Sequence, residues 1–584
     1  MENALILVEP AEMSAAGRLE KVLAVFGIAS RRLTVPEFLA AATVADEKLK
    51  FRLLGTAAVF LKLTAALEEN SAAGANWRQA VHSAFIFSGD DPTSFEKLAK
   101  QLTRDDQTRL VTVSQGAEWR VSDQLPEFCQ VMSGLRVTAV NQADRALVFD
   151  AAKSNAAKII VTEKTAALLW LEFESVPVFL STAGIIDVDA PLAARVFDIR
   201  PHFLAAVPVV LYAKWAFAES CWKAPEVNAC LVIDDPLLQP TYGYVNYAKF
   251  LSLMQRHSFS TNIAFIPWNW ARSRPEVVRL FQKHPENFSL SVHGCDHTAG
   301  EFGRREKSWL ARRSTQALER MERHAAKTGI VHDRVMVLPQ GVFTDDAPGV
   351  FKQSGFSAIV NSEVFTTDPQ PRPITIASFW DVAVMDYDCF PIYTRREPTE
   401  GVENFAFDIL LGKPCIVLIH HDFCWDGCDR LVKAINQINA LPGKINWRSL
   451  GEVVRRGFRQ KVLADGGIAL EMYGTELRLE NHSPQLQRFM VSKRETEPAL
   501  IQEILADKNP VAWKNSDGRV IFQVELGPGQ SQIINIKFHA MDNPQPAADG
   551  IYYRFKTGLR RHLCEMRDNY VTKIKFAIRP PTAS

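Results

Sequence analysis

Two short clusters carry the residue types that hold a metal and move a proton. Asp234 and Asp235 close the apolar run Ala229-Cys-Leu-Val-Ile233, and His293-Gly-Cys-Asp-His297 follows the run Phe288-Ser-Leu-Ser-Val292. Both runs read as buried strands, so the two carboxylates and the first imidazole fall where strands stop. Residues four apart in a helical turn share a face, and this spacing predicts His293 and His297 side by side. Asp235, His293 and His297 can then converge on one divalent metal. Three protein ligands with an open fourth position is the pattern of catalytic zinc. Asp234 is left beside the metal as a base. Each cluster has a plainer reading, a loop cap or two surface histidines. What favours a site is their shared place at strand ends of an α/β region, where such folds put their chemistry.

Aromatic residues near these positions offer a sugar platform. Trp268 and Trp270 follow a strand-like run, Asn262-Ile-Ala-Phe-Ile266, and Trp425 follows another, with Phe302, Trp380 and Tyr387 as further candidates. Amphipathic rings stack on apolar sugar faces, though rings are as readily core. Asp381, Asp386 and Asp388 lie in a polar stretch from which they could orient a catalytic histidine. Cys424 and Cys428 are the one close cysteine pair; their spacing fits no standard zinc or redox motif and reads as structural.

The elements that must position these residues form three regions. Residues 1–215 alternate strand-like and helix-like segments, which predicts a parallel α/β layer domain of Rossmann type; it has no G-x-G-x-x-G and no Walker loop. Residues 226–458 repeat strand and helix more regularly, and the natural fold is a central (β/α) barrel, incomplete in its ring. Its predicted strands include Ile374–Ala377 and Val382–Met385, and its helices fall at Val245–His257, Pro275–His284, Lys307–Thr328 and Asp429–Ile438. Residues 465–584 lose the helical rhythm and alternate at period two, which predicts a C-terminal β-sandwich that can be severed near Arg459.

Composition narrows the classes. The 584 residues exceed what one core serves, and 47% hydrophobic with 23% charged residues is ordinary for a globular protein. Lys+Arg 67 against Asp+Glu 66 leaves a net charge of +1, which argues against a nucleic-acid partner. Nine scattered cysteines fit free thiols in a reducing compartment, and the expected location is cytoplasmic. The longest apolar segment, Phe203 to Phe217, is interrupted by Pro208 and Lys214, so no integral membrane segment is expected.

Over residues 226–450 the chain resembles the polysaccharide deacetylases, the NodB-type carbohydrate esterases. The residues that carry the likeness are Leu231-Val-Ile-Asp-Asp235, His293-Gly-Cys-Asp-His297, Leu338-Pro-Gln-Gly341 and Ile416-Val-Leu-Ile-His420. The resemblance implies Asp234 as general base, Asp235, His293 and His297 as ligands of a divalent metal, most commonly zinc, and His420 as general acid. It implies an N-acetylated saccharide or polysaccharide as substrate. Two departures stand out: Val337 occupies the place of the arginine that supports the base in the family, and Pro236 follows the acidic pair. The Arg304-Arg305 pair is a candidate source of the missing charge. His421 is the rival acid, and alternation favours His420, which shares a strand face with Ile416 and Leu418. The acid and base are expected on opposite sides of the metal. A glycoside hydrolase using Asp234 and Asp386, and a saccharide-binding protein without chemistry, are the competing readings.

Overall fold

The computed structural model describes residues 4–42, 50–69, 77–150, 152–541 and 549–578. Its centre is a parallel sheet of eight strands: β1 (Val227–Asp234), β2 (Thr261–Phe265), β3 (Phe288–His293), β4 (Val335–Val337), β5 (Ala358–Asn361), β6 (Ile392–Thr394), β7 (Cys415–His420) and β8 (Ile445–Trp447). The spatial order is β6-β5-β4-β3-β2-β1-β7, with β8 paired to the first residues of β1. The sheet curls through part of a barrel. Its two ends touch where Arg396, just past β6, forms a parallel bridge with Val417 of β7.

The strands are apolar because both faces are covered. Cys230, Val232, Val335, Val337 and Ile416 pack in one cluster inside the curl, whereas Ala229, Leu231, Ile233 and Val417 belong to the outer core under the helices. Period-two alternation continues this parity to the strand ends. Asp234 follows Cys230 and Val232, and His420 follows Ile416, so both point to the inner side. Helices Tyr247–His257, Pro275–Lys283, Lys307–Thr328 and Asp429–Asn439 form where expected. The predicted strands at Ile374–Ala377 and Val382–Met385 do not. Thr375 accepts from the Ser378 amide and caps a short helix, Ile376–Trp380, and Val384 makes only an isolated antiparallel bridge with Ile392.

The N-terminal region is an eleven-stranded sheet that is only partly the expected parallel layer. Ser30–Leu33, Ala4–Leu7, Phe51–Thr56, Val81–Phe87 and Val176–Ser181 are parallel neighbours. From Ala166–Phe173 outward the pairing turns antiparallel. Pro208 does not interrupt the apolar segment: Phe203–Phe217 is one helix. With its flanks it is long and apolar enough to cross a membrane, yet 67% of it is buried within the fold. Residues of this region and of the central sheet share one apolar cluster.

Beyond Arg455, sheets of five and four strands running to Phe538 enclose a common apolar cluster. The chain then departs from the expected β-rich end. Ile551–Met566 is an α-helix, Arg567–Val571 a π turn and Thr572–Ile578 a further helical segment. Buried ion pairs tie these β strands to the central region. Lys352 of the central region donates to Glu495 at 2.8 Å, both ends fully buried. Asp381 is held by Tyr473, Arg459 and Arg494. Breaking one partner from a buried pair costs about 3–5 kcal/mol. Ending the chain near Arg459 would strand both Lys352 and Asp381. We expect that truncation to yield insoluble protein. A soluble fragment with wild-type circular dichroism in its central region would show that these ion pairs are dispensable.

Candidate active site

β1 delivers Asp234 and Asp235 together, β3 delivers His293, and the loop after β3 brings back His297. The ligand atoms of Asp235, His293 and His297 all lie within 4.8 Å of one another. His297 Nε2 is 3.1 Å and His293 Nε2 3.5 Å from Asp235 Oδ1. Those are ion-pair separations, and Asp235 Oδ1 and His297 Nδ1 are buried without a hydrogen-bond partner among the described residues. His293 Nδ1 is turned to the Val337 carbonyl at 3.0 Å, which leaves Nε2 facing Asp235. A backbone carbonyl of this kind fixes the tautomer of a metal-ligating histidine. The donor set of one carboxylate and two imidazoles suits a divalent metal of zinc type.

His297 does not reach this position by a helical turn. Residues 294–298 form a loop in which Gly294 has φ +65° and His297 φ +55°. A Cβ on Gly294 would come within 2.4 Å of the Pro339 ring and 2.6 Å of Glu301 Oε2, so glycine is required there. Glu301 builds the loop: its buried carboxylate accepts from the amides of Cys295, Asp296 and His297 at 3.0, 2.9 and 3.2 Å. Burial, with the Asp296 charge nearby, pushes the Glu301 carboxyl up. Asp296 is held by Arg313, Arg320 and Tyr553. Cys295, Asp296 and Glu301 lie close enough to hold an ion, but their carboxylates are already spoken for. Asp235 itself has φ +81°, a conformation costing a non-glycine residue of order 1–3 kcal/mol. That conformation takes its side chain out of the strand's alternation and towards the histidines.

The charge expected from Arg304 or Arg305 comes from elsewhere. Arg304 lies over the Trp309 ring at 4.0 Å, and Arg305 pairs with Asp368. It is Arg395, one residue past β6, that grips Asp234 with two hydrogen bonds of 2.7 and 2.8 Å. Both side chains are 4% exposed. Burial pushes the Asp234 carboxyl up, but the Arg395 and His293 charges outweigh it and hold the group below the usual carboxylate range. The histidines diverge. Burial lowers His297 to about 4, more strongly than Asp235 raises it. Burial also lowers His293, but Asp234 and Asp235 together leave it above its ordinary value.

His420 and Asp234 are register partners on adjacent strands. They therefore differ in depth, not in side: Asp234 is buried and His420 exposed at the rim. Both line a cleft of about 620 Å³ with Arg395, Gln340, Asn361 and Thr366. Asn361 Oδ1, Ser362 Oγ and Thr366 Oγ1 are buried there without partners among the described residues. His421 faces the other way, buried 3.5 Å from Asp568 and against Tyr242. A larger cavity, about 900 Å³, opens at the opposite end of β1 around Val227 and Asn446. None of Asp234, Asp235, His293, His297 and His420 lines it.

Other expected site residues lie elsewhere. Trp380, Tyr387 and Phe302 are core. Asp386 accepts from Ser378 and does not line the cleft with Asp234, so the pair expected of a two-carboxylate glycosidase is not assembled there. None of Asp381, Asp386 and Asp388 bonds His420 among the described residues. Trp268, Trp270 and Trp425 are half-buried outside the cleft. The C-terminal helix covers two of them: Gly558 lies against Trp268, and Phe576 meets Trp425 edge-on at 6.3 Å. Arg395 and Glu301 are the functional residues the sequence reading missed. The pair Arg395-Arg396 directly after Ile392-Tyr-Thr394 was the available signal for the first.

No family model and no curated protein matches the sequence. Solved structures that align with part of this chain include a family 4 carbohydrate esterase from Streptomyces lividans in complex with acetate: 14% identity, 36% of this chain, 85% of that one, TM-score 0.23. A family 4 acetyl xylan esterase from Clostridium thermocellum in complex with a cobalt ion gives 10% identity, 39% and 89% coverage, and TM-score 0.24. A 4-alpha-glucanotransferase from Thermococcus litoralis gives 13% identity, 39% and 40% coverage, and TM-score 0.26.

Proposed function

We propose that the chain is a metal-dependent hydrolase that removes acetyl groups from an N-acetylated saccharide or polysaccharide, with zinc as the metal. The observation that carries this reading is the convergence of Asp235, His293 and His297, with a second carboxylate, Asp234, clamped next to them by Arg395. A divalent metal held there supplies Lewis acidity towards an acyl carbonyl and the attacking water. Asp234, kept ionised and oriented by Arg395, takes the water proton as the new C–O bond forms. The C–N bond then breaks, and His420 at the rim gives its proton to the departing amine. The orphaned polar atoms of Asn361, Ser362 and Thr366 supply acceptors and hydroxyls suited to sugar hydroxyl groups. The nine free cysteines suit a reducing compartment, and the proposed location is the cytoplasm.

The test couples elemental analysis to acetate release from a panel of N-acetylated oligosaccharides. Release is expected from the metal-loaded protein, lost on chelation and restored by zinc. Metal-loaded protein that frees no acetate from any member would remove the deacetylase reading. Activity indifferent to chelation would remove the metal from it.

A further inference from the structure

The helical end of the chain presents two unlike faces. Its inner face is bonded to the loops around the site. Tyr242 Oη donates to Asp568 at 2.8 Å, and the Gly243 amide to Asn569 at 2.9 Å. Arg272 donates to Glu565, and Tyr553 to Asp296. Phe576 stacks on Tyr244. The outer face is apolar and, among the described residues, uncovered. Ile551, Tyr552, Phe555, Leu559, Leu563, Met566, Tyr570, Ile574 and Ile578 are between 47 and 89% exposed. Among the described residues, most large exposed apolar side chains are on this one element. Their spacing, mostly four residues, runs wider than a regular helix, and the π turn at Arg567–Val571 takes up the drift.

Charge decides what covers this face. Residues 551–578 carry the cations Arg554, Lys556, Arg560, Arg561, Arg567, Lys573 and Lys575. The acidic residues in the segment, Glu565 and Asp568, are spent on the inner face. Arg561 is buried, Arg567 pairs with Asp568 and Lys573 lies over Tyr244, so the outward surface is an apolar stripe flanked by Arg554, Lys556, Arg560 and Lys575. A second copy of the same face would bring like charges together, and an acidic partner protein would leave the long apolar stripe to be matched residue by residue. An amphipathic helix with cations beside a Phe/Leu/Ile/Tyr stripe fits the headgroup boundary of an anionic lipid surface.

We infer that the helix Ile551–Ile578 docks the protein on anionic membrane surfaces, with the stripe from Phe555 to Ile574 inserted and Lys556, Arg560 and Lys575 at headgroup level. This inference is independent of the hydrolase reading. The experiment is co-sedimentation of the full chain with vesicles of phosphatidylcholine alone and of phosphatidylcholine mixed equally with phosphatidylglycerol. Binding is expected to the mixed vesicles only and to weaken with added salt. The double variant Leu559→Glu, Leu563→Glu should bind roughly tenfold or more weakly, with unchanged circular dichroism and urea midpoint showing that it is folded. Equal binding by variant and parent, or no binding to mixed vesicles, would overturn the proposal. So would concentration-dependent dimers in light scattering that the same variant abolishes, since the face would then belong to a second copy.

Discussion

Asp234→Asn is expected to keep its metal and to lose about 10²–10⁴-fold in turnover. The amide has the shape of the carboxylate but cannot accept the water proton. Asp235, His293 and His297 make no use of Asp234 as a ligand atom, so elemental analysis should read as for the parent. His420→Ala should behave likewise. His421→Ala should leave the chemistry and instead loosen the terminal helix, because His421 packs against Tyr242 and Asp568. Metal loss from Asp234→Asn would mean that the two carboxylates have exchanged roles. Full activity with metal bound would end the proposed mechanism.

Arg395→Met is expected to destabilise the fold by about 3–5 kcal/mol, since it leaves a buried carboxylate without its partner. A urea midpoint shift at unchanged slope measures it. The pH dependence gives a second handle. Asp234 is held below the usual carboxylate range in the fold. The stability this contributes is complete above the unfolded value of about 3.9 and is lost as pH falls through the lower folded one. Removing Arg395 takes away the strongest influence favouring the charged form. The gap in stability between parent and variant should therefore be small in acid, where Asp234 is protonated in both, and widen towards neutral pH. A gap that is constant with pH would show that the loss is packing alone.

The strands β1, β3 and β7 and the ligand residues at their ends were legible because apolar runs stop abruptly at Asp234, His293 and His420. Local pattern reveals where a strand ends. It does not reveal which strand ends meet. Arg395 lies 161 residues from Asp234, and only the curling of the sheet, with Arg396 bridged to β7, sets one beside the other. The loop of His297 was misread as a helical turn because the spacing fits one; Gly294 and the amides gathered by Glu301 impose another path. Ile374–Ala377 alternates like a strand, but Thr375 supplies a helix cap. The terminal helix was missed for a different reason. Its apolar residues recur at near-helical spacing, but that signal sat at the end of a stretch that otherwise alternates as strands, and its fit to the site comes from polar residues such as Asp568 and Asn569.

Asp234 and His420 sit in register on β1 and β7, whose first and last residues come from opposite ends of the central region. Contacts so distant along the chain close late, since the loop entropy must be spent before they form, and parallel pairings of this kind are slow. In a refolding experiment the helices would regain their far-ultraviolet signal first. The base, the residue that clamps it and its neighbour on β7 would be assembled only when β7 docks on β1. Enzymatic function would thus return in the slowest phase, and a collapsed kinetic intermediate with most of its helices would be inert.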